Sequence, residues 1–174
     1  MRVAVSGTHR VGKSQLIAAL AEAGVADVID EPYRVLEDEG YEFSDPPTFE
    51  DFEAQLRRSI ELVQAGGTLF DRCPLDFVAY LRALDEDYDL EPWLDELRTA
   101  MDALDHVVVI RIESPDRIAV AAHEDRRLRA DVDAWIERVI VDDMLGLDAN
   151  VVEVSGDLEA RVRQVRRAIP TLIR

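Results

Sequence analysis

Five short apolar runs punctuate this chain, and longer stretches with helical spacing separate them. The first, Val3 to Ser6, is a buried-strand pattern that ends at Gly7. Residues 13–23 (KSQLIAALAEA) then place apolar side chains three and four positions apart, one helix face, and stop at the C-terminal cap Gly24. A second run, residues 25–30 (VADVID), is closed by Glu31-Pro32, and residues 37–48 (EDEGYEFSDPPT) read as a polar loop. Thr48 and Asp51 open a predicted helix that Gly66-Gly67 end. The third run, TLFDRCP, is closed by Asp71-Arg72 and Pro74. Residues 75–104 read as mostly helical with breaks between 85 and 92, and HVVVIRI at 106–112 is the most β-branched strand candidate. A charge-dense stretch follows, then an amphipathic helix (DAWIERVIVDDML), a last strand at 150–156 and a last helix (DLEARVRQVRRAI).

Near-continuous apolar strands alternating with helices belong to a parallel sheet covered on both faces. The expected fold is therefore α/β, with three α/β/α layers around a five-stranded parallel sheet. The chain carries no repeat and no low-complexity linker, so residues 1–174 are expected to form a single domain.

Composition narrows the function. With 174 residues, 48% of them apolar, one sizeable core can form. A formal net charge of −17 argues against general nucleic-acid binding, which needs a basic face. No stretch reaches the length of uncharged apolar residues that a membrane span requires, so no membrane association is expected. No apolar signal region follows the basic start, and the lone Cys73 has no internal disulfide partner. A cytoplasmic setting is the expectation. Any anion must be held locally, by backbone N–H groups and a few cations, against the field of the whole protein. Lys13 is the only lysine.

Residues 7–14 read GTHRVGKS, the G-x-x-x-x-G-K-[ST] pattern of a phosphate-cradling loop, set between a strand and a helix. Gly7 and Gly12 let the backbone turn around an anion, and successive N–H groups with the following helix start point at phosphates. The cradle is expected over Gly7, Thr8, His9, Arg10, Val11, Gly12, Lys13, Ser14 and Gln15, with His9 and Arg10 on its rim. Lys13 is expected to bridge β- and γ-phosphate oxygens of ATP, and Ser14 to coordinate Mg²⁺. Asp71, ending an apolar strand, suits a second Mg²⁺ contact; Arg72 beside it is a cation where a motor ATPase would place a second acid.

Further candidates lie past the other strands, where open α/β sheets bind ligands. Glu31 can take a proton from a substrate hydroxyl or reach Mg²⁺ through water, and Arg34 is an anion contact; a solvated turn is the plainer reading of both. Asp76 reads equally as a helix cap or a site residue. The arginines at 126, 127 and 129 fall in an expected lid over residues 113–131, with Arg126 taken as the catalytic representative; a solvated charged face explains the run as well. Ser155-Gly156-Asp157 is either a turn close to a nucleobase or a helix N-cap.

Together GTHRVGKS, Glu31-Pro32, Asp71-Arg72, the arginine run and the VVEVSG-DLEARV ending resemble the nucleoside and nucleotide kinase branch of the P-loop kinase superfamily. The pattern is similar to small ATPase/kinase families near ribosylnicotinamide kinase and, more distantly, to thymidylate and deoxynucleoside kinases. The resemblance implies ATP-dependent phosphorylation of a small hydroxyl or phosphate. It implies a proton-accepting role for Glu31, as in deoxynucleoside kinases, and a phosphoryl contact for Arg72, as in thymidylate kinases. Cys73 stands where thymidylate kinases carry an aromatic residue, and no glycine pair follows Glu31-Pro32. Tyr33, Phe49 and Phe52 are candidates for flat contact with an aromatic acceptor. Glu31 and Asp71 are alternative bases. Two other readings stay open: an ATPase or GTPase without a small-molecule acceptor, and a nucleotide-dependent regulatory binder. The amphipathic helices permit a homodimer.

Overall fold

The computed structural model describes residues 1–116 and 126–173. In chain order these residues form β1 (Val3–Ser6), α1 (Lys13–Glu22), β2 (Val28–Ile29), α2 (Pro32–Asp38), α3 (Phe49–Ala65), β3 (Leu69–Asp71), α4 (Pro74–Leu84), α5 (Leu94–Asp102), β4 (His106–Ile110), α6 (Arg126–Ile136), β5 (Val151–Val154) and α7 (Leu158–Ala168). The five strands make one parallel sheet in the order β2-β3-β1-β4-β5. Its register sets Val5 beside Asp71 and Ser6 beside Val109, so β1, β3 and β4 deliver their carboxyl ends to one edge.

Alternation along the strands explains why they read as continuous apolar runs. Ala4, Phe70, Val107 and Val109 face a layer built on α3, α4, α5 and α6, whereas Val3, Val5, Leu69, Val108 and Ile110 face α1 and α7. Both faces are buried, so both positions of each pair must be apolar. Among the described residues, no helix is long and apolar enough to cross a membrane.

Three boundaries differ from the sequence reading. Residues 32–38 form a helix where a turn and loop were expected; Pro32 occupies its first position, where the fixed φ favours a start and the missing N–H costs nothing. With seven residues and only Pro32 buried, α2 carries too little hydrophobic period to be read from pattern. Next, β2 contracts to two residues at the sheet edge. Finally, α6 starts inside the arginine run and continues past Ile136 into a wider π-helical turn at Glu137–Val141. Of the expected lid over 113–131, residues 117–125 lie outside the described residues.

Candidate functional site

The loop at 7–14 leaves β1 and enters α1 with two backbone demands that only glycine meets easily. Gly7 has φ +149°, and a Cβ there would stand 2.5 Å from the Ile110 carbonyl oxygen. Gly12 is left-handed at φ 95° and serves as the N-cap of α1. Inside the loop, Lys13 is 6% exposed and its Nζ donates to the Thr8 carbonyl at 2.9 Å. Burial, and then the charge of Arg72, lower the Lys13 pKa to about 8, against the opposing pull of Asp71, Asp76 and Glu31. Thr8 is fully buried and Val11 anchors the loop in the α1/α7 layer, so their contribution to a cradle is backbone. His9 is half-buried with Nδ1 3.5 Å from the Tyr80 hydroxyl; Arg10, Ser14 and Gln15 are exposed.

Ser14 Oγ lies 3.5 Å from Asp71 Oδ2, and Asp71 Oδ1 is buried without a hydrogen-bond partner among the described residues. Burial raises the Asp71 carboxyl above its ordinary range, while Lys13 and Arg72 pull it back. An all-oxygen pair with one unsatisfied carboxylate oxygen fits Mg²⁺, which is commonly held by one or two protein oxygens, phosphate and water. Ser14 and Asp71, predicted as a pair, are therefore brought together.

Arg72 is the link between this cradle and Glu31. Its backbone is left-handed at φ 79° and its N–H donates to the Val5 carbonyl, turning the chain sharply after β3. The side chain is nearly buried: Nη1 donates to the Gly7 carbonyl at 3.0 Å and to Asp76 at 3.4 Å, and Nε to Glu31 at 3.4 Å. Its guanidinium lies over the rings of Tyr80 at 5.4 Å and Phe77 at 5.9 Å. Burial opposes the charge, but Tyr80, Asp76, Glu31 and Asp71 hold the group above the ordinary arginine range. Asp76 resolves as both of its alternatives. Its Oδ2 accepts from Cys73 N at 2.9 Å in a capping box for α4, and its Oδ1 accepts from Gly7 N at 3.0 Å. Cys73 is fully buried, and its thiol is pushed far up by burial and Asp76.

Glu31 sits at the N-cap of α2, with its second oxygen 3.8 Å from Arg34 Nε; Arg34 itself projects outward. Phe52 is core, stacked on Tyr80 at 4.8 Å, whereas Tyr33 and Phe49 are each 38% exposed. Two aromatics that the sequence reading did not single out join them: Phe43 stacks on Tyr33 at 4.3 Å, and Tyr41 packs against Phe43 and donates to Asp51.

From the arginine run, Arg126 is exposed at the first residue of α6, and it is Arg129 that reaches the loop. Arg129 is 5% exposed, donates to the carbonyls of His9 and Arg10, and forms a two-point ion pair with Asp116. Arg161 on α7, absent from the sequence reading, is equally buried and donates to the Val11 carbonyl and to Glu113. No motif marks it; the only signal is an arginine on the inner face of an otherwise amphipathic helix. At 155–157 the helix-cap reading holds, with Asp157 accepting from Ala160 N at 2.8 Å.

No curated protein matches the chain. Among solved structures, deoxyadenosine kinase from M. mycoides with bound dATP aligns at TM-score 0.72 and 14% identity, covering 98% of this chain and 100% of that one. NadR in complex with NR aligns at TM-score 0.65 and 18% identity over 95% of this chain, which spans half of the NadR chain. Thymidylate kinase from Ehrlichia chaffeensis aligns at TM-score 0.59 and 14% identity, covering 98% of each chain. The fold is thus the P-loop fold of nucleoside and nucleotide kinases. The sequence family described as AAA domain matches residues 2–161, and the chain belongs to that family.

Proposed function

We propose that this protein transfers the γ-phosphoryl group of ATP to a hydroxyl or phosphate of a small molecule of the nucleoside, nucleotide or ribosylnicotinamide class. The observation that carries this reading is the bridge made by Arg72, which contacts the Gly7 carbonyl of the phosphate loop and the Glu31 carboxylate on the far side. A cation so placed spans donor and acceptor, whereas an acid at that position would serve to polarise a hydrolytic water.

In this reading Lys13 releases the Thr8 carbonyl and takes the β- and γ-phosphate oxygens. Ser14 and Asp71 would hold Mg²⁺, which when bound would neutralise phosphate charge. Because Asp71 is committed beside Ser14, Glu31 is the base: its carboxylate accepts the proton of the attacking hydroxyl. Arg72, ion-paired to Glu31, stabilises the transferring phosphoryl group. Catalysis is positioning and charge stabilisation. The exposed Tyr33 face, backed by Phe43, offers flat contact for an aromatic acceptor. The NR bound to NadR and the dATP bound to deoxyadenosine kinase support ligands of this class. A cytoplasmic setting agrees with an ATP requirement and a single buried thiol.

The test is a screen of nucleosides, nucleoside monophosphates and ribosylnicotinamide with ATP and Mg²⁺, read as phosphorylated product by mass spectrometry. A product is expected from at least one acceptor, and Arg72→Ala should lower kcat for it by about a hundredfold or more. ATP hydrolysis indifferent to every acceptor, or full transfer by Arg72→Ala, overturns the reading.

A further inference from the structure

We propose that Arg129 and Arg161 are positioning residues that together preset the phosphate loop for nucleotide. Arg129 Nε donates to the His9 carbonyl at 3.1 Å and Nη2 to the Arg10 carbonyl at 3.2 Å; Arg161 Nη1 donates to the Val11 carbonyl at 2.6 Å. Three consecutive carbonyls at the crest of the loop are thereby held by guanidinium groups. In a planar trans peptide the N–H of the next residue points opposite to the C=O. Fixing these carbonyls therefore aims the N–H groups of Arg10, Val11 and Gly12 as a set, away from the guanidiniums. Aligned N–H groups of this kind are what an anion-binding loop presents.

The two arginines come from opposite layers. Arg129 rides on α6, whose Val132 and Ile136 pack in the α3–α6 core; Arg161 rides on α7, whose Val165 packs with Leu16 and Leu20 of α1. The loop is gripped from both faces of the sheet. The counter-ions share one stretch after β4, with Asp116 paired to Arg129 at 2.7 Å and Glu113 to Arg161 at 2.8 Å. Glu113 also accepts from Gly156 N at 2.9 Å, which ties in the β5–α7 turn. Burying two guanidiniums, at 5% and 6% exposure, is costly unless their hydrogen bonds are well used. Here they go to the loop carbonyls and to Asp116 and Glu113 rather than to the core, with Arg161 Nε buried and unpartnered among the described residues.

The inference rests on the loop binding nucleotide and is independent of the acceptor. Full-length Arg129→Ala, Arg161→Ala and the two lysine variants are titrated calorimetrically with Mg²⁺-ADP and Mg²⁺-ATP, each shown folded by circular dichroism. Presetting predicts that ADP and ATP affinities fall by the same factor, roughly tenfold or more for each alanine variant. Arg129→Lys should recover little, because one ammonium cannot span two carbonyls and Asp116. If an alanine variant does not fold, its lysine counterpart decides on the same readout. A larger loss for ATP than ADP would instead mean direct γ-phosphate contact and overturn presetting. Lower thermal stability with unchanged affinities would overturn it too, as would a wild-type chain that binds neither nucleotide. Wild-type nucleotide binding with no acceptor phosphorylated refutes the kinase reading alone.

Discussion

Lys13 holds its proton less tightly than a free lysine because of its surroundings, and those surroundings make the phosphate site pH-sensitive. Without nucleotide its ammonium is buried on the Thr8 carbonyl with a pKa of about 8. Below that value the charged form that phosphates require is populated; one unit above it, binding must reprotonate the amine and affinity falls about tenfold. The same depression acts oppositely on the fold. The unfolded chain holds this proton up to 10.5, so stability contributed by Lys13 rises as pH climbs from 8 to 10.5. Calorimetric ADP affinity should drop between pH 7 and 9 while the melting temperature does not track it, and Lys13→Ala should abolish turnover and remove the drop. Which single residues were legible follows from the same physics. Lys13 and Ser14 sit in a motif whose spacing encodes contact, and Glu31, Asp71 and Arg72 follow from strand ends. Arg161 and the aromatic pair Tyr33–Phe43 depend on how distant elements dock, which local spacing does not carry.

At the scale of elements, α3 shows how a cap reaches into the candidate acceptor side. Asp51 is buried at the N-terminus of α3 and accepts from Thr48 N at 2.8 Å, Thr48 Oγ1, Ser44 N and the Tyr41 hydroxyl. It thereby ties the loop at 40–48 to the helix. Burial opposes its charge, but these donors hold its pKa below the usual aspartate value. The stability it contributes is therefore present at neutral pH and lost as pH falls through its folded pKa. Asp51→Ala should cost about 1–3 kcal/mol in urea unfolding at neutral pH, with the deficit shrinking in acid. Release of Tyr41 should also raise the acceptor KM more than the ATP KM. The Thr48-x-x-Asp51 box, the strands and the long helices were all legible because each signals itself within one window. By contrast α2 is too short to show a period, and α6 hides its start in a charged run whose Arg129 and Asp133 are in fact buried. Asp133 is held there by Arg111 and the Ile112 N–H, a pairing that ties the chain just past β4 to α6 and leaves no trace in hydrophobic pattern.

For the whole molecule the governing quantity is charge. Thirty-seven acids against twenty lysines and arginines leave a formal net charge of −17, and the ligand it is read to bind is itself a polyanion. Two fields compete over an approaching ATP. At long range the acidic surface repels it; within a few ångströms the buried Lys13 and Arg72 and the N–H groups of the loop attract it. Salt separates the two, because the Debye length shrinks from about 30 Å at 0.01 M to about 8 Å at 0.15 M, while buried contacts are screened far less. The association rate of ATP should therefore rise between these salt concentrations, the reverse of steered binding to a basic surface, with the dissociation rate nearly unchanged. Stopped-flow with a fluorescent ATP analogue measures both. A rate that falls with salt would mean that the cations of the loop, rather than the acidic surface, set the field that a nucleotide meets.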